Sequence, residues 1–271
     1  MLLKEKVALI TGAGRGWGRS IAIAYARQGA SVIAVARTKS ELDQTAEIIR
    51  QEGGNVTEFA FDISEENAIK EIFQYISDHF SQLDILINNA AVLMLKPFTD
   101  LSLDEIDQII KINLRSQIVL CKMAIPQMIK QGGGSIINVS SGAGVKGFEK
   151  ESIYCATKHA IEGFSKSIAL ELMPYNIAVN TITPGGKSQN VQIKPTSLTQ
   201  SEFELLSAEE KSKWTDSIVS TDAFVFLGMQ RADGITGQRI LAYEFSQHLH
   251  ECAWQLGLAD LRDGLYETGK W

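Results

Sequence analysis

Short apolar, β-branched runs alternate along the chain with amphipathic stretches of helix length. This alternation is typical of βαβ units, in which a helix carries the chain between neighbouring parallel strands. It predicts an α/β fold with one doubly wound sheet of about seven parallel strands and helices on both faces. The predicted strands are Val7–Thr11, Ser31–Ala36, Glu58–Phe61, Ile85–Asn88, Ser135–Val139, Ile177–Thr181 and Ile240–Ala242.

The helices expected between these strands have recognisable start and stop signals. Ser102 and Glu105 form a capping box, in which each side chain satisfies a free backbone amide at the helix start. Gly53 and Gly54 stand where a helix must stop, because glycine adopts left-handed conformations without steric cost. The predicted helices are Ser20–Gln28, Ser40–Glu52, Glu65–His79, Leu103–Lys130 and Ile153–Met173.

The periodic pattern weakens after Pro184. Residues 185–222 are polar and irregular, with helical potential at Thr199–Trp214, as expected of a substrate loop or lid before the last strand. No internal repeat or linker interrupts the sequence, so we expect residues 1–271 to form a single domain. Residues 244–271 form a C-terminal extension with a predicted helix at Glu244–Leu256, which we expect to pack on a neighbouring subunit or to cover the pocket.

Composition narrows the classes of partner. The 271 residues carry a net charge of −6, whereas a nucleic-acid partner requires a basic surface. No apolar run approaches the roughly 18 residues of a membrane span, and the charged start of the chain does not fit a signal peptide, so we expect a cytoplasmic protein without a membrane partner. No metal site is expected, because His248 and His250 point to different helix faces and the scattered cysteines lack ligand spacing. Cys121, Cys155 and Cys252 are instead expected to be small buried hydrophobes.

A glycine-rich turn, Thr11–Gly18, follows the first strand and opens the first helix. Such a turn brings backbone amides and the positive end of the helix dipole against a pyrophosphate. The spacing is G-x-x-x-G-x-G through Gly12, Gly16 and Gly18, and Trp17 stands where a third glycine of the common fingerprint would fall. A strand–helix corner without a ligand is the alternative, but the βαβ context favours a Rossmann-type dinucleotide site.

Charge after the second strand favours NADP(H) over NAD. An acidic residue that binds the ribose hydroxyls of NAD is expected at the strand end, but Ala36 stands there and Arg37 follows. Arg15 and Arg37 lie on the two loops that would flank an adenosine 2′-phosphate, which requires cations. The alternative is that both arginines are solvated surface residues.

Tyr154 and Lys158 are four residues apart and therefore share one face of a predicted helix. A nearby cation favours the phenolate and lowers the pKa of a tyrosine, as a general acid/base for an alcohol proton requires. Ser141 follows the strand Ser135–Val139 at the end that faces a cofactor crevice, where its hydroxyl can bind a carbonyl oxygen. The Tyr-x-x-x-Lys spacing alone is common in helices, but its place after the glycine turn and the Ser-bearing strand favours an acid/base site.

In these motifs and their order, the chain resembles the short-chain dehydrogenase/reductase family from about Lys4 to Gly185, with an echo of the last strand at Gly234–Ile240. The segments that carry the resemblance are Thr11–Gly18, Asp62–Ile63, Asn88–Ala90, Asn113, Ser140–Ser141, Tyr154–Lys158 and Pro184–Gly185.

The resemblance implies roles for individual residues. Ser141 would orient the substrate, Tyr154 would transfer the proton, and Lys158 would hold the nicotinamide ribose while lowering the pKa of Tyr154. Asn113, an unfavourable residue in mid-helix, would position a water in a proton relay behind Lys158. The implied cofactor-binding residues are Gly12, Arg15, Gly16, Trp17, Gly18, Arg37, Asp62, Ile63, Asn89, Ala90, Tyr154, Lys158, Pro184 and Gly185.

Some positions depart from the family pattern or allow a second interpretation. Ala91 replaces the usual glycine after Asn-Asn-Ala, which could shift the backbone near the substrate. Trp17 replaces a smaller aliphatic residue, so its indole either covers the mouth of the site or packs on the next helix. Asp62 resembles the family's adenine contact but could simply cap the following helix.

Together these features predict an NADP(H)-dependent carbonyl reductase that could also run as an alcohol dehydrogenase on a small molecule. The alternatives are an NAD-dependent dehydrogenase of an alcohol, polyol or hydroxysteroid, and a catalytically idle NADP-binding sensor. The resemblance also implies a homodimer or homotetramer formed through the helices Leu103–Lys130 and Ile153–Met173. A moderately apolar pocket is expected from Val92–Leu95, Ala143, Phe148, Gly185–Gln189 and part of Phe203–Trp214.

Overall fold

The computed structural model describes residues 1–185, 192–193, 205–207, 209–210, 214–215 and 217–252. Seven parallel strands form one sheet in the order β3-β2-β1-β4-β5-β6-β9, which confirms the predicted fold class. These strands are β1 (Val7–Thr11), β2 (Ser31–Ala36), β3 (Asn55–Ala60), β4 (Ile85–Asn88), β5 (Gly134–Val139), β6 (Ile177–Thr183) and β9 (Arg239–Leu241). Two short strands, β7 (Gln192–Ile193) and β8 (Trp214–Thr215), form a separate parallel pair.

Helices connect the strands and cover both faces of the sheet. They are α1 (Gly16–Arg27), α2 (Lys39–Gln51), α3 (Glu66–His79), α4 (Leu103–Ile110), α5 (Ser116–Lys130), α6 (Ser152–Leu172), α7 (Thr221–Gly228) and α8 (Ala242–Cys252). The strand order reverses between β1 and β4, and a crevice for ligands opens at the carboxyl ends of parallel strands at such a point.

The hydrophobic core forms one layer on each face of the sheet. Alternate residues of β1 supply the two layers, because successive side chains of a strand point to opposite faces. Ala8 and Ile10 join the layer of α1, α2, α7 and α8, whereas Val7 and Leu9 join the layer of α3, α5 and α6. Strands covered on both faces are buried throughout and mostly apolar, which is why β1, β4 and β5 were recognisable from their sequences.

Four strands differ at their boundaries from the predictions, and β5 begins at Gly134 rather than Ser135. β3 begins at Asn55 rather than Glu58, because this edge strand is only half buried and its polar residues hide it in the pattern. β6 continues to Thr183 rather than ending at Thr181. β9 is Arg239–Leu241 rather than Ile240–Ala242, so Arg239 lies in the sheet.

The predicted helix Leu103–Lys130 is interrupted by one wide turn. Residues Lys111–Arg115 form a π-helical segment between α4 and α5. Such segments are rare and occur frequently at functional sites, and this one contains Asn113. The capping box at Ser102 is present as predicted, with Glu105 donating its backbone amide to the Ser102 hydroxyl at 3.2 Å. The helix α1 begins at Gly16, four residues before the predicted Ser20, because the glycine turn passes directly into it.

The C-terminal part differs more from the sequence interpretation. The loop predicted to reach Asp222 is too long, because Asp222 lies within α7, a buried helix whose residues from Ala223 onward form an apolar run without a helical period. Trp214 lies in β8 rather than in the predicted helix Thr199–Trp214, most of which lies outside the described residues. The predicted C-terminal helix is present as α8, which begins at Ala242 and is described to Cys252.

Candidate active site

A cavity of about 840 Å³ opens at the carboxyl ends of the central strands. It brings together almost all the predicted site residues, from the glycine turn to the Tyr-x-x-x-Lys helix. Gly16 and Asn113 do not line it, and the expected wall residue Ala143 is fully buried behind it. The predicted site residues that line the cavity are Gly12, Arg15, Trp17, Gly18, Arg37, Asp62, Ile63, Asn89, Ala90, Ser141, Tyr154, Lys158, Pro184 and Gly185.

The glycine turn has no room for side chains at two of its predicted positions. A Cβ atom at Gly18 would lie 2.0 Å from the carbonyl oxygen of Gly12, and one at Gly12 would lie 2.7 Å from Asn89 Nδ2. Gly12 and Gly16 also have positive φ angles of 69° and 53°, which L side chains rarely adopt. The resulting cradle at the start of α1 fits the pyrophosphate of a dinucleotide, which binds backbone amides at a helix N-terminus.

Thr11 and Asn89 join the glycine turn to the segment that follows β4. The Thr11 hydroxyl accepts hydrogen bonds from the backbone amides of Asn89 at 3.0 Å and Ala90 at 3.1 Å. Asn89 Nδ2 donates in return to the carbonyl oxygen of Thr11 at 2.9 Å. The sequence interpretation did not assign Thr11 a role, although a threonine at the carboxyl end of a central strand was a usable signal.

Arg19 fixes the glycine turn from behind and was also missed. Its Nη2 donates to the carbonyl oxygens of Gly14 at 2.6 Å and Glu41 at 3.0 Å, and its Nε donates to Thr45 Oγ1 at 3.0 Å. The guanidinium therefore ties the turn to α2. The signal was a cation in the first turn of a helix, where basic residues are unfavourable unless another contact uses them.

The cavity carries both cations and carboxylates beside the carboxyl end of β2. Arg37 is exposed and has no ion-pair partner among the described residues, while Arg15 Nε lies 3.7 Å from Glu41 Oε1. Asp62 Oδ1 accepts the backbone amide of Ser64 at 2.9 Å, so it braces the turn before α3 and also lines the cavity. The interpretation of Asp62 as a helix cap is therefore wrong, because Glu65 is the N-cap of α3 and no side chain caps it, and the adenine contact stays a prediction.

Trp17 lies between the core and the cavity. The side chain is 8% exposed, belongs to the core layer that contains α1, and also lines the cavity. It therefore forms part of the cavity wall from a fixed position in α1.

Ser141, Tyr154 and Lys158 converge where β5 ends beside the start of α6. Ser141 caps a short 3-10 turn, its hydroxyl accepting the backbone amide of Ala143 at 3.2 Å. Lys158 Nζ donates to the carbonyl oxygen of Val139 at 2.7 Å and lies 5.5 Å from the centre of the Tyr154 ring. A serine, a phenol and an ammonium therefore meet inside one cavity.

The electrostatics of this group differ from the expectation. Burial raises the pKa of Tyr154, and a hydrogen bond with Ser141 opposes the rise without reversing it. Burial also lowers the pKa of Lys158 to about 8, opposed by the charge of Glu162. The prediction of a lowered pKa for Tyr154 is therefore wrong for the protein alone, because desolvation outweighs the hydrogen bond with Ser141.

Asn113 is fully buried in the π-helical segment and binds a neighbouring loop. Its Nδ2 donates to the carbonyl oxygen of Val92 at 2.8 Å, and its Oδ1 accepts the backbone amide of Val92 at 2.8 Å. The side chain thus fixes the loop beyond Ala91 at the cavity wall. The water relay behind Lys158 stays a prediction.

An ion pair that the sequence interpretation missed lies beside the serine. Arg239 lines the cavity from β9, and its Nε donates to Glu162 Oε1 at 3.1 Å. Its Nη2 donates to the carbonyl oxygen of Ser141 at 3.2 Å and to Thr183 Oγ1 at 2.9 Å. A charged residue in an otherwise apolar strand was the available signal, but the predicted strand began one residue later.

The sequence model of the short chain dehydrogenases matches residues 6–197, which span the glycine turn and the Ser, Tyr and Lys of the cavity. The chain belongs to the short-chain dehydrogenase/reductase family. This short-chain dehydrogenase/reductase is therefore an oxidoreductase that acts on an alcohol or carbonyl group with NAD or NADP.

Known members of the family differ in the dinucleotide they bind. An uncharacterised oxidoreductase of Bacillus subtilis (strain 168) is 32% identical over 253 residues, which are 88% of this chain and 97% of that protein. Carveol dehydrogenase from Mycobacterium avium in complex with NAD has a TM-score of 0.77 and 25% identity, covering 88% of this chain and 96% of its own. A metagenomic short-chain oxidoreductase in complex with NADP has a TM-score of 0.75 and 26% identity, covering 89% of this chain and 98% of its own.

The part of the chain that the structure describes contains no helix long and apolar enough to cross a membrane. Among the same residues, no three His, Cys, Asp or Glu side chains are grouped to hold a metal ion. His250 instead contacts Asp222 of α7, and Cys121 and Cys155 are buried free thiols, as predicted.

Proposed function

We propose that this short-chain dehydrogenase/reductase is an NADP(H)-dependent enzyme that interconverts a carbonyl and an alcohol. The observation that carries the cofactor preference is the charge at the carboxyl end of β2. Arg15 and Arg37 line the cavity there, and Ala36 stands where an acidic residue would bind the ribose hydroxyls of NAD. Among the described residues Arg37 has no ion-pair partner, which leaves its guanidinium available to a 2′-phosphate.

The chain's own groups divide the work of the reaction. The glycine turn would hold the pyrophosphate, and the bound dinucleotide supplies or accepts the hydride. Ser141 and Tyr154 hold the carbonyl oxygen, and Tyr154 donates its phenolic proton as that oxygen becomes an alcohol. Because burial raises the pKa of Tyr154, the phenol is protonated near neutral pH, which suits the reducing direction. Lys158 would hold the nicotinamide ribose.

Replacing Tyr154 with Phe tests the reaction. A screen of ketones and aldehydes with NADPH oxidation as readout identifies a substrate, and turnover of Tyr154→Phe should then fall roughly 10²- to 10⁴-fold, the usual contribution of a general acid. Binding of NADP should persist, because only the hydroxyl is lost. Tyr175→Phe, which removes the hydroxyl of a half-exposed tyrosine outside the cavity, is the matched control and should leave turnover unchanged. A near-normal rate in Tyr154→Phe would contradict the mechanism.

Replacing Arg37 with Asp tests the cofactor. Loss of one charge-assisted contact to the 2′-phosphate should weaken NADP binding roughly 10- to 100-fold in calorimetric titration and move preference toward NAD. Lys39→Asp is the control, because Lys39 is exposed, pairs with Asp43 and does not line the cavity. An unchanged preference in Arg37→Asp would make Arg37 an ordinary surface residue.

Two other functions remain to be separated by the same measurements. An NAD-dependent dehydrogenase is favoured by the NAD bound to the carveol dehydrogenase relative, and a clear NAD preference of the unmodified protein would establish it. A catalytically idle sensor would bind NADP and turn over no substrate. The convergence of Ser141, Tyr154 and Lys158 in one cavity supports an enzyme, because a scaffold requires none of the three.

Apolar side chains around the cavity mouth support a small, partly apolar substrate. Val92, Val145 and Phe148 line the cavity, whereas Leu95, an expected wall residue in the loop after β4, is exposed and does not line it. Exposed apolar residues on the outer helices support association as a homodimer or homotetramer through α4, α5 and α6. These residues are Leu103, Ile110, Met123, Ile129 and Leu170.

A further inference from the structure

An ion pair of a buried carboxylate and a partly buried guanidinium stands behind the Tyr154–Lys158 group. Glu162 follows Lys158 by one turn of α6 and is 6% exposed, and Arg239 reaches it from β9. A Cβ atom at Gly144 would lie 3.1 Å from Glu162 Cγ, so the short turn after Ser141 closes over the carboxylate. Burying such a pair is costly unless its geometry and its hydrogen bonds compensate.

Both members of the pair are fully engaged with the ends of the central strands. Glu162 Oε2 accepts the hydroxyl of Thr181 at 2.7 Å, while Oε1 accepts Arg239 Nε. Arg239 Nη2 divides its two protons between the Ser141 carbonyl oxygen and Thr183 Oγ1. One guanidinium therefore links the carboxylate to the backbone of the serine that would bind the substrate.

Few charged groups compete with this pair around Lys158. Tyr154 is the titratable group one turn earlier on α6, and Lys146 lines the cavity from the loop after β5. Lys111 and Arg115, from the adjacent π-helical segment, form exposed ion pairs with α3 and the residue before it. His159, next to Lys158 in sequence, binds the carbonyl oxygen of Cys155 on its own helix. Beyond the effect of burial, Glu151, just before α6, and Cys155 raise the pKa of Tyr154, and Glu162 is the carboxylate whose charge raises the pKa of Lys158.

We propose that Glu162 and Arg239 are positioning residues, which set the charge environment of Tyr154 and Lys158 and hold the backbone of Ser141. The negative charge of Glu162 stabilises the Lys158 ammonium. The positive charge of Arg239 partly cancels this stabilisation, and its guanidinium holds the backbone of Ser141. This role rests on the proposed function of Ser141, Tyr154 and Lys158. A pair that served stability alone would change the protein's unfolding but not the titration of the site.

The test uses the opposite charges of the two residues. Glu162→Gln leaves the Arg239 cation uncompensated and should lower the apparent pKa of the site, whereas Arg239→Gln leaves the Glu162 anion uncompensated and should raise it. Each shift should be about one unit or more, as expected of an unpaired charge nearby. The double variant should return the apparent pKa toward its original value. The readouts are the pH profile of turnover and the ultraviolet absorbance of the Tyr154 phenolate, with Tyr154→Phe as the blank.

Arg239→Lys separates charge from positioning. Lysine keeps the positive charge but lacks the planar guanidinium that contacts three acceptors. The apparent pKa of the site should therefore stay unchanged while kcat falls. If Arg239→Gln does not fold, Arg239→Lys still tests the positioning role through kcat. Shifts of the same sign in Glu162→Gln and Arg239→Gln, or no shift in either, would overturn the proposal.

A matched pair at the opposite end of the sheet is the control. Asp84 is a buried carboxylate that contacts Lys6 at 2.9 Å and Arg231 at 3.7 Å, before β4 and away from the cavity. Asp84→Asn should destabilise the fold without moving the phenolate titration. The phenolate measurement requires no turnover, so it tests the pair even if no carbonyl substrate is found and the proposed function fails.

Discussion

Lys158 is a cation held almost completely out of water. It is 1% exposed, and its ammonium donates to one backbone carbonyl oxygen rather than to a carboxylate. Desolvation of a charged amine opposes folding, and here it lowers the pKa from 10.5 to about 8. We therefore expect Lys158 to serve the proposed reaction at the expense of the stability of the fold.

Replacing Lys158 with Met should therefore stabilise the protein while it abolishes turnover. At pH 7 Lys158 is protonated in both the folded and the unfolded state. Its lowered pKa then corresponds to a loss of folding free energy on the order of 3 kcal/mol. The hydrogen bond to Val139, which Met cannot make, offsets about 1 kcal/mol of this loss. As the pH rises from about 8 to 10.5, the folded state loses the proton first, so the penalty disappears. Denaturant unfolding should show a gain of about 2 kcal/mol at pH 7 that vanishes above pH 10.5.

Lys166→Met provides the comparison, because Lys166 lies on the exposed face of the same helix. It should change the free energy of unfolding by no more than about 0.5 kcal/mol, the usual range for a surface substitution. A Lys158→Met protein less stable than the original at pH 7 would contradict the argument.

For individual residues, the sequence predicted which side chains lie close together better than it predicted their pKa values. The four-residue spacing correctly indicated that Tyr154 and Lys158 share a helix face, and the order of motifs indicated that Ser141 lies beside them. The direction of the tyrosine pKa could not be predicted, because it depends on burial, which the spacing does not contain. Arg239 was missed because one residue of error at a strand boundary removed it from the sheet.

The helix α1 and its glycine turn act as one element. Gly18→Ala would place a methyl group 2.0 Å from the Gly12 carbonyl oxygen and 2.6 Å from Asn89 Nδ2, so the turn must open. We expect a loss of about 3 kcal/mol in the free energy of unfolding, at the upper end for overpacking, and weaker NADP binding. Thermal unfolding with and without NADP measures both effects.

Gly163→Ala is the control within another helix. Gly163 lies in the middle of α6 on its exposed face, and a Cβ atom there would meet nothing within 4 Å. The substitution should stabilise the protein by roughly 0.5 to 1 kcal/mol, because alanine is the better helix former. Equal effects of the two substitutions would show that the Gly18 contact is not restrictive.

Element types were easier to predict than element details. Apolar period and capping signals located the helices from α1 to α6, but no periodicity distinguishes a π-helical segment from the α-helix around it, so the wide turn at Asn113 was invisible. The helix α7 was missed for a related reason. After Thr221 and Asp222 it is an unbroken apolar run, and such a run can be a buried strand or a buried helix.

At the scale of the whole molecule, the alternation of elements predicted a parallel sheet, and handedness rules leave few arrangements for it. The order β3-β2-β1-β4-β5-β6-β9 depends on which sheet edge each new strand joins, and only the three-dimensional structure defines that choice. The cavity's position at the reversal between β1 and β4 could be expected from that topology. The contacts of β9 with the serine loop could not, because they join residues 98 positions apart in the chain.

The late position of β9 has a consequence for synthesis. Until residues 239–241 have left the ribosome, β6 is an open edge of the sheet, although all seven of its residues are buried in the finished protein. An unpaired apolar edge strand is a template for pairing with other chains. A message that terminates before codon 239 would therefore yield a product that retains the glycine turn, Tyr154 and Lys158 but is prone to aggregate.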